Sequence, residues 1–243
     1  MDIVLHKSFS VSETETGIKN TDIIYPTHHS VEKENRLFIT CDGNSNKSLT
    51  AGRIVCEAVK TYFYSFLDSD RDISVDFIEK AIRMGEISLS EYQENNPATN
   101  GLYTVLSLFY LAADCIYLCQ IGENRIYQIR ENQIIYKSIN SFSTRKIQGT
   151  HKPVEINVIV LKDIQPNDQF FISNCNLLNS QDEEIICDIL MMYAASEEKL
   201  SQIKMYYLNK YKKPFSAHLI PIRDISKTKT FKQRMHSLLY SFV

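Results

Sequence analysis

The chain has 243 residues, of which 44% are hydrophobic, and its formal net charge is −2 at neutral pH. This length and apolar content suit one large domain with its own core, and the few scattered glycines and prolines mark no linker. A charge so close to zero gives no electrostatic footprint for nucleic acid or an anionic membrane surface, so we expect neither as a partner.

The N-terminal part predicts short strands. Residues 2–11 alternate between apolar and polar side chains, and segments 23–25 and 37–41 are apolar enough for two more strands. A polar loop that carries His28 and His29 separates these two segments. Because the N-terminus lacks the basic start and long apolar core of a signal peptide, we expect a cytoplasmic protein.

Two amphipathic helices are predicted next. Apolar side chains recur at helical spacing through residues 47–67, where Ser48 suits the N-cap. The same spacing predicts a second helix over residues 75–92.

The period then changes from helical to strand-like. Segments 102–111, 115–121, 125–129 and 133–137 predict an antiparallel meander with short polar turns. The longest apolar run, residues 102–121, is interrupted by polar and charged side chains. We therefore interpret it as two buried strands rather than a membrane span.

The last third of the chain mixes strands and helices. Strands are predicted at 155–161, 169–173 and 215–222, and helices at 181–193, 197–208 and 228–242. Helices that lie between an early group of strands and a long antiparallel meander, and again near the end, argue for an α+β sandwich. A doubly wound parallel sheet would need regular alternation of strand and helix.

Cysteine spacing indicates neither zinc nor disulfides. The six cysteines lie inside apolar segments without the paired short spacings of a zinc site, and they are predicted as small buried thiols. They are Cys41, Cys56, Cys115, Cys119, Cys175 and Cys187.

A possible metal ligand follows the strand at 37–41. Asp42 comes directly after this apolar segment, and Gly43 would let the backbone approach a ligand closely. A carboxylate presented in this way can ligate a hard cation. Asp-Gly is also a routine turn dipeptide, so the segment alone leaves both interpretations open.

Several short motifs, taken in order, resemble those of the PPM family, the metal-dependent (type 2C) serine/threonine protein phosphatases. They are "GIKNTD" at 17–22, "FITCDGNSN" at 38–46, "GENR" at 122–125, "DQFFISNCNLL" at 168–178 and "KKPFSAHLIPI" at 212–222. The resemblance implies a four-layer α-β-β-α sandwich of two antiparallel sheets, with two or more divalent cations in a cleft at one end. It implies a single domain over 1–225, and we expect 226–243 to be a C-terminal helical extension packed on it.

Three acidic positions match the family. Asp22 corresponds to the acid of the early Asn-Glu-Asp motif, although Thr21 replaces the preceding Glu. Asp42 corresponds to the metal-bridging carboxylate and Gly43 to a ligand through its backbone carbonyl. Glu123 keeps an acid, one methylene longer, in the family's Gly-Asp-Ser-Arg turn. The resemblance therefore implies that Asp22 and Asp42 form the catalytic centre.

Three other positions depart from the family. Asn174 replaces a ligand Asp and keeps only a carbonyl oxygen that can coordinate weakly. Lys213, or Pro214 if the register shifts by one, replaces the last ligand Asp, and a lysine there would repel a cation or take its place beside Asp42. The phosphate-binding arginine is missing, which leaves Lys19 as a point charge for phosphate.

Three hypotheses remain, two from the resemblance and one from another class. The first is a pseudophosphatase with a degenerate site for one Mn²⁺ or Mg²⁺, inactive or weakly active, that binds a phosphorylated protein or a signalling or kinase partner. The second is an active Mn²⁺- or Mg²⁺-dependent phosphoserine/phosphothreonine protein phosphatase, with help from Glu123 and Asn174 in holding metal. The third is an assembly component that associates through its terminal helix. Loss of ligand charge favours the first hypothesis.

Overall fold

The computed structural model describes residues 2–5, 8–14, 20, 22–27, 30–31, 36–42, 48–67, 73–138, 146–149, 153–174 and 180–226, and the structural statements below concern these residues. They form the strands β1 (Asp2–Leu5), β2 (Ser8–Glu13), β3 (Ile23–Tyr25), β4 (Ser30–Val31), β5 (Leu37–Asp42), β6 (Val105–Leu111), β7 (Ile116–Ile121), β8 (Arg125–Arg130), β9 (Gln133–Lys137), β10 (Val158–Leu161), β11 (Gln169–Ser173) and β12 (Phe215–Ser226). The helices are α1 (Ser48–Leu67), α2 (Val75–Asn95), α3 (Ser180–Met191) and α4 (Ser196–Tyr211), and a short 3-10 helix spans Pro97–Thr99.

The strands form two antiparallel sheets. The seven-stranded sheet has the order β4-β2-β12-β11-β8-β9, and β1 also pairs with β12. The long strand β12 pairs with β2 through its first half and with β1 through its second half. The five-stranded sheet has the order β10-β7-β6-β5-β3.

Three apolar layers hold these elements together. One lies between the five-stranded sheet and the helices α1 and α2, a second lies between the sheets, and a third lies between the seven-stranded sheet and α3 and α4. Strand side chains alternate between neighbouring layers, because successive residues of a strand point to opposite faces. The result is a four-layer α-β-β-α sandwich, which confirms the predicted fold class.

Helix α2 illustrates how local sequence sets an element. Ser74 caps its N-terminus by accepting a hydrogen bond from the backbone N–H of Phe77 at 3.3 Å. Its buried stripe includes Gly85, where an added Cβ would lie 3.0 Å from Cγ1 of Val55 on α1. The glycine therefore allows the two helices to pack closely.

Most predicted elements are present, with corrections that have physical causes. The predicted opening strand at 2–11 is two strands, because β1 and β2 pair with different halves of β12. The predicted meander is divided between the sheets, since β6 and β7 belong to one and β8 and β9 to the other. Strand β4 was not predicted, because its two residues are too few to show alternation. The predicted helix at 228–242 lies outside the described residues.

The apolar run at 102–121 contains β6 and β7, as predicted. No helix in the described part of the chain combines the length and hydropathy needed to cross a membrane.

Candidate functional site

Sheet register brings Asp22 and Asp42 together. Ile23 of β3 pairs with Cys41 of β5, so the next pair toward the end of the sheet is Asp22 with Asp42. Both side chains point toward the second sheet, on the face of β5 that carries buried Phe38. Asp22 is buried, with 6% of its surface exposed, and Asp42 is half-buried. Two carboxyl groups thus share one corner of the sandwich.

The two oxygens of Asp22 have different environments. Oδ2 accepts hydrogen bonds from Nδ2 of Asn174 at 2.5 Å and from Oγ of Ser216 at 3.0 Å. Oδ1 is buried and accepts no hydrogen bond from any described residue. The carboxyl of Asp42 lies within hydrogen-bonding reach of Asp22, but two ionised carboxylates are both acceptors and cannot bond without a shared proton.

The amide of Asn174 is oriented by the backbone of β12. The N–H of Ser216 donates to Oδ1 of Asn174 at 2.9 Å, and the N–H of Asn174 donates to the carbonyl of Ser216 at 3.1 Å. Because a backbone N–H can only donate, the atom that it reaches must be the amide oxygen. The NH₂ group of Asn174 therefore faces Asp22 as a donor.

A short polar chain supports this corner from β2. Oγ of Ser12 lies 2.8 Å from Oγ of Ser216, and Nδ2 of Asn20 donates to Oγ of Ser12 at 2.9 Å. Oδ1 of Asn20 accepts the backbone N–H of Asp22 at 3.0 Å. The four residues form a closed loop of contacts that orients the Asp22 carboxyl.

Burial and neighbouring negative charges raise the pKa values of the carboxyl pair, while hydrogen bonds and a nearby positive charge oppose the rise. Burial and the neighbouring charge of Asp42 raise the pKa of Asp22 well above its usual range, while hydrogen bonds from Ser216 and Asn174 oppose this rise. Burial also raises the pKa of Asp42, and the positive charge of exposed Lys213 opposes that rise. The negative charge of Glu123 raises the pKa of Asp42 further.

The turn that carries Glu123 connects the two sheets. Nε2 of Gln120 donates to the carbonyls of Gly122 at 3.0 Å and Asn124 at 2.7 Å, and Arg125 donates to the carbonyl of Glu123 at 2.9 Å. Gly122 has a φ of 99°, which glycine adopts readily and other residues rarely do. These bonds hold the turn in a defined shape beside the carboxyl pair.

The structure brings most of the predicted site residues together. Contacts and mutual charge effects link Asp22, Asp42, Asn174, Glu123 and Lys213 at one end of the sandwich. The predicted ligand Gly43 and the predicted phosphate contact Lys19 lie outside the described residues.

Sequence reasoning missed Ser12, Asn20 and Ser216. For Ser12, the sequence feature that could have identified it is the alternation of serine and apolar residues in "SFSVS" of β2. Ser8, Ser10 and Ser12 occupy the face toward the other sheet.

Oxygen donors that suit a hard cation are present at this corner. Oδ1 of Asp22 and the carboxylate of Asp42 are oxygen ligands of the kind that Mg²⁺ and Mn²⁺ take. In the described part of the chain, however, no group of three or more His, Cys, Asp or Glu side chains is placed to hold a metal ion. The amide oxygen of Asn174 faces the backbone N–H of Ser216 and its NH₂ group faces Asp22, so this side chain turns a donor, not an oxygen ligand, toward Asp22.

No protein-family model and no curated protein matches the sequence. Solved structures do match, at low sequence identity. The serine/threonine phosphatase PstP/Ppp of Mycobacterium tuberculosis has 16% identity and a TM-score of 0.69, and the match covers 91% of this chain and 100% of that one. Serine/threonine phosphatase Stp1 of Staphylococcus aureus has 16% identity and a TM-score of 0.71, with 92% and 98% covered.

Two further solved structures also match this chain. PppA, a key regulatory component of the T6SS in Pseudomonas aeruginosa, has 14% identity and a TM-score of 0.66, with 90% of this chain and 99% of that one covered. A PstP catalytic domain in complex with two manganese ions has 17% identity and a TM-score of 0.70, with 91% and 100% covered. At these identities the matches show a shared fold.

Proposed function

We propose that this chain, which has the fold of the PPM-type serine/threonine phosphatases, is a pseudophosphatase: a binding or regulatory domain with a degenerate metal site and little or no activity. The observation that carries the proposal is the arrangement around Asp22. Asn174 directs an N–H donor at a carboxylate, where the family pattern has a third negatively charged ligand. A function belongs to its site rather than to the scaffold, so this change outweighs the shared fold.

Asp22 and Asp42 would hold one Mn²⁺ or Mg²⁺. A divalent cation bound there would neutralise phosphoryl oxygens and lower the pKa of a bound water. Lys213 acts against such binding, because at about 4 Å two like unit charges repel by about 1 kcal/mol even in water and by more when partly desolvated. We infer that a second cation is absent.

The partner that this site suits is a phosphorylated protein segment, presented by a signalling protein or a kinase. Lys213 is exposed beside the carboxyl pair and offers a positive charge to a phosphate group. The predicted contact Lys19 would add a second point charge. The similar solved structures are serine/threonine phosphatases, which supports a phosphorylated protein as the ligand class.

Phosphate release from phosphoserine and phosphothreonine peptides, measured across a Mn²⁺ titration, tests the loss of activity. We expect no release above that of the Asp42→Asn variant at any Mn²⁺ concentration. Mn²⁺-dependent release that Asp42→Asn abolishes would overturn the proposal and identify a working phosphatase.

Calorimetric titration of the same peptides, with their unphosphorylated forms as the matched control, tests the binding role. We expect the phosphorylated peptide to bind more tightly and Lys213→Ala to reduce that preference. Equal affinity for both forms of every peptide would contradict the proposed phosphate recognition.

One observation favours the second candidate, an active metal-dependent phosphatase. Oδ1 of Asp22 is buried without a hydrogen-bond partner among the described residues, and the Asp22 carboxyl lies next to Asp42. A cation between the two carboxylates would stabilise both charges. The same phosphate-release experiment decides between the candidates.

A further inference from the structure

A row of polar side chains lies inside the sandwich, beneath Asp42. Thr40 of β5 pairs with Ser107 of β6, and Ser107 pairs with Gln120 of β7. Side chains of directly opposed residues on neighbouring strands are adjacent, with Cβ atoms about 5 Å apart. Thr40 and Ser107 are fully buried, and Gln120 is 7% exposed. We call these three residues the polar row.

Alternation places the polar row between the sheets. Phe38, Phe109 and Leu118 lie two residues away on the same three strands, and all belong to the apolar layer between the sheets. On β5 the sequence of this face is Phe38, Thr40, Asp42. The polar row therefore lies between the carboxyl pair and the apolar layer that contains Phe38.

Four buried polar atoms in this region have no protein partner within the described chain. They are Oγ1 of Thr40, Oγ of Ser107, Oε1 of Gln120 and Nδ2 of Asn124. Asn124 adjoins the polar row, because Nε2 of Gln120 donates to its carbonyl. Oδ1 of Asp22, in the carboxyl pair one step above, is a fifth such atom. Buried polar atoms are nearly always hydrogen-bonded, so this concentration points to a ligand.

His218, which lies across from β5, does not satisfy these atoms. His218 of β12 is fully buried, and its Nε2–H donates to the carbonyl of Ile39 at 3.1 Å. Its Nδ1 therefore accepts from Oγ of Ser10, at 2.7 Å. Both ring nitrogens are engaged, and the ring packs against Phe38.

The mixture of donors and acceptors identifies the ligand class. Oε1 of Gln120 and Oδ1 of Asp22 only accept, the amide N–H groups of Asn124 only donate, and the two hydroxyls do either. The amide donor disfavours a cation, and the two acceptors disfavour an anion. Water satisfies both kinds of partner.

We propose that ordered internal waters bind along the polar row and donate a hydrogen bond to Oδ1 of Asp22. These waters hydrate the carboxyl pair from inside the sandwich. In the metal-free protein, each oxygen of Asp22 then accepts a hydrogen bond. The inference does not depend on whether the chain is a phosphatase.

Oxygen-17 magnetic relaxation dispersion on the wild-type protein counts long-lived internal waters, and it requires no variant. We expect such waters in the wild type, and we expect fewer in Thr40→Val and Ser107→Ala, which keep the side-chain shape or reduce it by one atom. Their absence from the wild type, or an unchanged count in both variants, would overturn the proposal.

Urea unfolding is a second test. The urea midpoint of each variant should change in opposite directions depending on whether the polar row holds water or is dry. If water binds the polar row, each variant removes a hydrogen-bond partner of that water and weakens or abolishes its binding, and the urea midpoint falls. If the row is dry, each variant removes an unpaired polar atom, and the midpoint rises. Thr61→Val on the exposed face of α1 is the matched control, and its water count should equal that of the wild type.

Discussion

Asp22 is the residue in which burial, charge and hydrogen bonding conflict most. It is buried opposite a second carboxyl group, and like charges directly opposite each other destabilise a sheet. Two donors stabilise only one of its oxygens, Oδ2. Its carboxyl is therefore stabilised by partial protonation, by water or by a cation, and substitutions can separate these effects.

Replacing Asp22 by Asn should stabilise the protein when no metal is present. The new amide oxygen could accept the bonds from Asn174 and Ser216, and the new amide nitrogen could donate to Asp42. We expect Asp22→Asn to raise the free energy of unfolding in EDTA by about 1 kcal/mol, the value of one hydrogen bond. Urea titrations measure this, and a decrease of similar size would contradict the description of the pair.

His218 should make stability depend on pH. Burial lowers its pKa to about 4, while an exposed histidine in the unfolded chain has a pKa of about 6.5. Between these values the unfolded chain binds more protons, so stability is full above the unfolded pKa and falls as the pH drops toward 4. The difference is worth roughly 3 kcal/mol.

Urea midpoints at several pH values, compared for wild type and His218→Gln, check this prediction. The raised pKa values of Asp22 and Asp42 act in the opposite direction, because acids with raised pKa values favour folding as the pH falls, but both proteins share that effect. The urea midpoint of the variant should lack the part of the pH dependence that is caused by His218. Equal slopes from pH 4 to pH 6.5 would contradict it.

At the scale of elements, β12 contributes both to the pairing of the seven-stranded sheet and to the site. It pairs with β1, β2 and β11 and supplies Ser216 to Asp22. Alternation and helical spacing were enough to predict most strands and helices, since those periods come from local geometry. They could not show that β1 and β2 are separate, because pairing with β12 joins residues far apart in the chain.

The loop before β11 depends on an ion pair between fully buried Asp168 and partly exposed Arg130. Asp168 is fully buried and accepts from Nε of Arg130 at 2.8 Å and Nη2 at 3.0 Å, and from Nε2 of Gln128 and the N–H of Gln165. Removing one partner of a buried pair typically costs about 3 to 5 kcal/mol. We therefore expect Arg130→Met to lower the free energy of unfolding by about 3 kcal/mol.

Arg83→Met is the matched control for this prediction. Arg83 is partly exposed on α2, and its partner Glu86 also accepts the backbone N–H of Val154 at 2.7 Å, so Glu86 keeps a partner when Arg83 is replaced and we expect a loss of about 1 kcal/mol or less. Urea unfolding should separate the two variants clearly. Similar losses for both would show that the Asp168 network is not specially stabilising.

At the scale of the whole molecule, the fold was more predictable than the site. Motif order indicated which carboxylates meet, and Asp22 and Asp42 do meet. The roles of Ser12, Asn20 and Ser216 were not predicted, because they depend on register across β2 and β12. The orientation of the Asn174 amide was also hidden, since it follows from a backbone N–H distant in sequence. The domain limits 1–225 and 226–243 stay a prediction, and β12 runs to Ser226.

The most direct test of the degenerate site is Mn²⁺ affinity, measured by calorimetry on the wild type and on the double variant Asn174→Asp/Lys213→Asp. The variant adds two carboxylates and removes one ammonium. At about 1 kcal/mol for each unit of charge, affinity should rise by at least about tenfold. A wild type that already binds two Mn²⁺ ions as tightly as the variant would contradict the degenerate site.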